Sequence, residues 1–242
     1  MKRTERHHLK ENELEKFARR AREAVETRRR ETMAAIVVLV VIGVVAIGYW
    51  AWHERVETRA HAMLAAALAV QEARVGPPIA PGLAAASTPS FATERERSLA
   101  ALAKFKAAAD AYPKTGAGIF ARYMEAATSM ALGNAADAAR VYQQVIDRAG
   151  DGIYGQMARL GLAEAQARAG QYDQAINTFK ELAQRKDGPL PIDGILMQLG
   201  RTYRDAGKRD DAQQTFNRLV EEFPQSPFAG DAKRELDSLK KA

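Results

Sequence analysis

The chain predicts an all-α protein: a single N-terminal transmembrane helix followed by a solenoid of helical hairpins. Two observations carry this. Met33 to Trp52 are twenty uncharged residues between charged borders. From about residue 94 onward, small, aromatic, aliphatic and glycine positions recur every 37 residues, which marks a stack of similar units.

The first segment, residues 1–31, is a basic cytoplasmic helix by expectation. It carries eleven Lys/Arg against seven Asp/Glu, a net +4, out of +6 for the whole chain. Residues 32–93 net to zero and residues 94–242 to +2. Charge concentrated before an apolar run is a topology signal and not a nucleic-acid footprint. In "ENELEKFARRAREAVETRRRE", Leu14, Phe17, Ala21 and Val25 recur at helical spacing. The stripe is narrow, so a solvated helix is favoured over one lying on anionic lipid.

Residues 32–52 form the anchor. Twenty helical residues at ~1.5 Å each span about 30 Å, a bilayer core. Tyr49, Trp50 and Trp52 cluster at one end, as interfacial aromatics do. A cleaved leader has a shorter apolar core and a shorter basic start, so the segment is expected to be retained. Arg19, Arg20, Arg22, Arg28, Arg29 and Arg30 precede the run, and only Arg55 and Arg59 follow closely. The positive-inside rule then puts the N-terminus in the cytoplasm and the C-terminal domain outside it, in the periplasm of a Gram-negative cell.

Residues 53–93 read as a membrane-proximal helix and a Pro-rich linker. Val56, Ala60, Met63, Ala67 and Val70 form a seam, expected to pack on the domain that follows. "GPPIAPGLAAASTPS" carries four prolines and ends the helix. There are no cysteines, which excludes disulfides and thiolate metal sites.

Residues 94–242 are the repeat domain with a C-terminal capping helix. Ala101, Ala138, Ala175 and Ala212 share one column. Phe105, Tyr142, Phe179 and Phe216 share another; Ala108, Val145, Leu182 and Leu219 a third. Ala126, Ala163 and Gly200 form a fourth and Gly133, Gly170 and Gly207 a fifth. Glycine ends each first helix, the small residues admit close helix contact, and the aromatics fill the space between hairpins. The first repeat lacks its first helix, which residues 53–75 are placed to supply.

"LGRTYRDAGKRDDAQQTFNRLVEEFP" and "LAEAQARAGQYDQAINTFKEL" carry a pattern that resembles the tetratricopeptide repeat, here with a period longer than usual. The fold class is therefore a tetratricopeptide-like helical-hairpin solenoid behind one span. With "GYWAWHERVETRAHA" after the anchor, the arrangement is similar to the YfgM-like ancillary subunits of the bacterial SecYEG translocon. That resemblance implies a periplasmic protein-binding domain near the translocon exit, with translocon components, a membrane-anchored folding factor or emerging chains as partners. "EEFPQSPFAGDA" also resembles repeats of Tol-Pal and outer-membrane assembly proteins, which leaves a structural scaffold for envelope, Tol-Pal or cell-division machinery as the alternative.

No phosphate loop, nucleophile elbow or metalloprotease motif appears in the sequence, so no enzyme activity, cofactor, small-molecule substrate or nucleic acid is expected. His53, Glu57 and His61 share a helix face, but two histidines one turn apart need further ligands. The resemblance implies a groove lined by the first helix of each hairpin. The inward candidates are Phe120, Tyr123, Met157, Leu160, Glu164, Met197, Arg201 and Arg204. Packing against the helix of residues 53–75 is an equal use for several of them.

Overall fold

The computed structural model describes residues 29–76, 90–185 and 188–241. The helix expected within residues 1–31 and most of the Pro-rich linker lie outside these. Two compact units divide at Arg55/Val56. Helix α1, Arg29–Gln71, is 43 residues long. None of its apolar stretch is buried. It is the one described helix long and apolar enough to cross a membrane.

The second unit holds the remaining elements: α2 (Glu94–Ala111), α3 (Gly116–Ala131), α4 (Ala135–Ala149), α5 (Ile153–Arg168), α6 (Tyr172–Gln184), α7 (Ile192–Asp205), α8 (Arg209–Glu222) and α9 (Ala229–Lys241). Two short parallel strands, β1 (Arg74–Val75) and β2 (Ser90–Phe91), pair Arg74 with Ser90 and Val75 with Phe91. They bring the chain back to α1 after the Pro-rich crossover. Arg97 Nη1 reinforces this by donating to the Ala73 carbonyl at 3.4 Å. Thr93 caps α2, its hydroxyl accepting from Glu96 N at 3.1 Å.

The turns explain the hairpins. Gly133, Gly170 and Gly207 follow α3, α5 and α7 with φ of 86°, 77° and 74°. Each next residue donates back to a carbonyl five residues earlier: Asn134 to Ser129, Gln171 to Gln166 and Lys208 to Tyr203. This pattern satisfies the last carbonyls of a helix and needs a left-handed residue that glycine adopts without strain.

The core is three successive layers. Ala60, Leu64 and Ala67 of α1 join Ala101, Phe105 and Ala108 of α2 and Ala117 and Ala121 of α3. The C-terminal part of α1 thus stands where the first helix of the first hairpin is missing. Val141, Tyr142 and Val145 of α4 join Ala126 of α3 and Ala158 and Leu162 of α5. The third layer runs from Ala163 of α5 to Leu239 of α9. Every member of the alanine, aromatic and aliphatic columns is buried. A fully buried phenylalanine such as Phe105, Phe179 or Phe216 contributes roughly 2–3 kcal/mol.

Candidate binding groove

Helices α3, α5 and α7 are the first helices of three successive hairpins, so a shared register presents equivalent residues on one side. Phe120 and Met157 are one period apart, as are Tyr123, Leu160 and Met197. Phe120, Tyr123, Met157, Leu160 and Glu164 are all half-buried. Met197 differs. It is 1% exposed and belongs to the core layer that includes Ala229, Ala232 and Leu236 of α9. It is a packing residue and offers nothing to a groove.

The α3–α5 end is aromatic. Phe120 stacks with Tyr123, ring centroids 6.2 Å apart, and leans on Tyr154 at 5.5 Å. Tyr123 meets Tyr142 of α4 at 5.6 Å. Gly161 makes room for that ring, since a Cβ there would stand 2.4 Å from Tyr142. Tyr154 and Tyr142 are absent from the sequence candidates. Tyr154 precedes Met157 by three residues on one helix face, a signal that could have found it. Tyr142 occupies a core column and stays buried; its ring supports Tyr123 from beneath.

Glu164 of α5 stands one helical turn beyond Gly161, the residue under the Tyr142 ring. Burial pushes its carboxyl up, and Arg168 partly opposes the shift. Burial also raises the Tyr123 and Tyr142 phenols, and the charge of Glu164 adds to both. Glu164 lines a cleft of about 210 Å³ with Ala167, Arg168, Phe179, Gln198, Arg201, Thr202 and Asp205.

The α7 end is occupied by charges paired within the chain. Arg204 Nη1 contacts Glu235 Oε2 at 2.5 Å, and its Nη2 lies 2.8 Å from Asp205. Arg201 lies 3.5 Å from Glu235 and 3.8 Å from Asp231. Both arginines are among the groove candidates, but carboxylates of α7 and α9 already pair with them. Replacing both, Arg201→Glu with Arg204→Glu, is therefore expected to lower stability by about 2 kcal/mol by breaking these partly exposed pairs and setting like charges together. Thermal unfolding of the double variant at low and high salt checks this. The loss should shrink as salt screens the repulsion.

Among the described residues, no three His, Cys, Asp or Glu side chains gather to hold a metal, His53, Glu57 and His61 included. The His53 ring instead stacks on Tyr49, one turn earlier, at 6.1 Å.

Residues 29–239 match the family described as a tetratricopeptide repeat-like domain. No curated protein matches the chain. Two crystal structures of nearly identical TPR-like repeats from a putative kinesin light chain of Podospora anserina, one of them a point variant, are similar. Each is 13% identical over 76% of this chain; the coverage of their own chains is 86% and 87%, with TM-scores of 0.58 and 0.57. At that identity the likeness shows the fold alone. With one family profile spanning 29–239, and with the alanine and aromatic columns buried and the turn glycines left-handed as described, the chain belongs to the tetratricopeptide repeat-like domain family.

Proposed function

We propose that this chain is a membrane-anchored protein-interaction module that engages a protein partner through the groove of α3 and α5. One observation carries the reading: Phe120, Tyr123, Tyr154, Met157 and Leu160 form a half-buried aromatic and aliphatic strip on successive first helices. Such side chains give large contact area with adaptable packing. The family supports it, since tetratricopeptide-like repeats typically act as non-catalytic interaction scaffolds. The apolar half of α1 anchors the module, and confinement to a thin layer raises the effective concentration, so weak contacts suffice. The arginine asymmetry supports an N-terminus inside and repeats on the periplasmic face of a bacterial inner membrane. Resemblance around "GYWAWHERVETRAHA" supports a place beside the translocon, as an adaptor for a folding factor or emerging chains.

Site-specific photocrosslinking in cells tests the reading. A benzophenone side chain replacing Met157 or Leu160 is expected to capture a translocon component or folding factor. The same group replacing the exposed Gln143 of α4 is expected to capture none. Equal capture from both faces refutes the groove. Capture of envelope or division proteins instead favours the scaffold reading. For topology, a C-terminal alkaline phosphatase fusion is expected to be active. Activity only from a cytoplasmic reporter at that end reverses the assignment.

A further inference from the structure

The two edges of the repeat stack differ in what they expose. Arg97 of α2 donates to the Ala73 carbonyl, so α2 starts beside the end of α1. Ala60, Leu64 and Ala67 of α1 share a core with Ala101, Phe105 and Ala108 of α2, so the two run antiparallel. The 18 residues of α2 cover about 27 Å. Its end therefore comes level with Val56, where the second unit begins. Because successive helices alternate in direction, the links after α2, α4, α6 and α8 share the edge of Val56. The turns after α3, α5 and α7 form the opposite edge. Among the described residues of this unit, the exposed large apolar side chains are Leu99, Ile153 and Phe228. Leu99 belongs to the body of α2. Ile153 opens α5 and Phe228 precedes α9, both on the Val56 edge, at 50% and 37% exposure. Pro189, Pro191, Pro224 and Pro227 are exposed on the same edge. Among the described residues, the opposite turns hold neither a proline nor an exposed large apolar side chain. One exposed apolar residue is ordinary; two with four exposed prolines, all on one edge, call for an occupant. Phe228 is also held in place: Ser226 Oγ donates to Asp193 Oδ2 at 2.7 Å and accepts from Phe228 N at 3.0 Å.

Resting on the reading of α1 as the anchor, and not on the groove, we propose that this edge seats on the lipid headgroup surface, with Ile153 and Phe228 entering the interface and the prolines flanking them. The chain itself brings lipid within reach. Val56 follows the interfacial Trp52 by four residues, so it lies within about 14 Å of it by any path. Ile153 and Phe228 gain by leaving water for the interface. An exposed proline adds an apolar ring and has no N–H to dehydrate. Asp151, two residues before Ile153, pairs with Arg159 at 3.1 Å and Arg185 at 3.4 Å, so its charge is compensated. The contact is apolar and needs no anionic lipid. It also sets the height of the groove. Phe120 and Tyr154 lie within the first two turns of α3 and α5, so the aromatic end meets a partner segment close to the bilayer.

The chain has no cysteine, so one introduced cysteine carries a nitroxide at a single place. The test uses the full chain in phosphatidylcholine nanodiscs. Collision of the label with oxygen, which concentrates in lipid, is compared with collision with a water-soluble nickel chelate. Val44→Cys in the apolar half of α1 tests the anchor, and Gln171→Cys on the opposite edge is the aqueous reference. Ile153→Cys and Phe228→Cys are expected to favour oxygen, as Val44→Cys does, while Gln171→Cys favours nickel. Gln225→Cys, exposed on the seated edge, reports the contact with Ile153 and Phe228 both kept. Adding Ile153→Ser with Phe228→Ser should lower the ratio of docked to free label at 225 by about tenfold, with an unchanged circular dichroism melt. A lipid-facing label at 44 with labels at 153, 225 and 228 as aqueous as that at 171 overturns the seat and leaves the anchor. An aqueous label at 44 overturns both. A label at 225 that stays docked in the double serine variant also overturns the seat, since some other group then holds the edge.

Discussion

Arg122→Leu is expected to destabilise the repeat domain by about 3 kcal/mol at neutral pH, and most of that loss should disappear in acid. Arg122 of α3 is 5% exposed and Glu125, three residues on, is 6% exposed. Arg122 Nη1 donates to Glu125 Oε2 at 2.6 Å, and Nη2 donates to Asp110 of α2. The guanidinium thus ties α3 to α2 and neutralises a buried carboxylate. Asp110 is half exposed and can return to water; Glu125 cannot. Burial already pushes the Glu125 carboxyl above its ordinary 4.5, and Arg122 is the main group pulling it back. Without Arg122 the folded-state value rises further. The folded chain then binds more protons than the unfolded chain between the two values, so stability falls as pH rises through that window. The penalty is complete above the raised folded value and absent below the unfolded one. Denaturant unfolding of wild type and variant from pH 4 to pH 8 measures it. Arg122→Leu with Glu125→Leu should recover most of the loss at neutral pH, because replacing both members of a buried pair with apolar groups is often neutral. A single-variant deficit that ignores pH, or a double variant as weak as the single, would show that Glu125 is not the source.

The repeat was legible because it is written in local terms. A left-handed turn needs glycine, and a close helix contact needs alanine or glycine, so columns of these residues at one period translate directly into Gly133, Gly170 and Gly207 at the turns and Ala101, Ala138, Ala175 and Ala212 in the core. The seam of α1 was legible for the same reason: Ala60 and Ala67 are buried against α2, with Met63 and Val70 partly covered. The groove was read less well, because a period treats every repeat as equal and a stack has ends. Tyr123, Leu160 and Met197 are equivalent in sequence, yet the last joins the core layer shared with α9. Apart from Asp205 beside Arg204, the partners of Arg201 and Arg204 are Asp231 and Glu235, about thirty residues onward on a helix outside the repeat pattern. No spacing rule links them. The pairing of β1 with β2 was invisible, since two residues on either side of a proline-rich crossover carry no alternation to read.

Ala175→Arg carries the largest expected loss, on the order of 4 kcal/mol, or roughly 10 °C in the melting temperature. Ala175 has no exposed surface and shares its layer with Ala163, Phe179, Ile195 and Leu196. Arginine adds a long side chain where the packing leaves no volume and a charge where there is no water. Its position adds a further cost. α6 begins at Tyr172, so residue 175 lies in the first turn, where the helix dipole disfavours a cation. Asp173, the acidic group of that turn, is already engaged by Lys208 at 2.6 Å. Gln174→Arg supplies the control: an exposed neighbour on the same turn, with the same dipole and the same added charge. It should change stability by no more than about 0.5 kcal/mol. The period makes the comparison stronger. Ala138 and Ala212, one repeat before and after, are equally buried, so arginine at either should cost a similar amount. Circular dichroism melts of the four variants decide the matter. Comparable large losses at 138, 175 and 212 with a silent change at 174 are what stacked hairpins require; an unchanged melt at any one of the three alanines would show that its hairpin does not close as described.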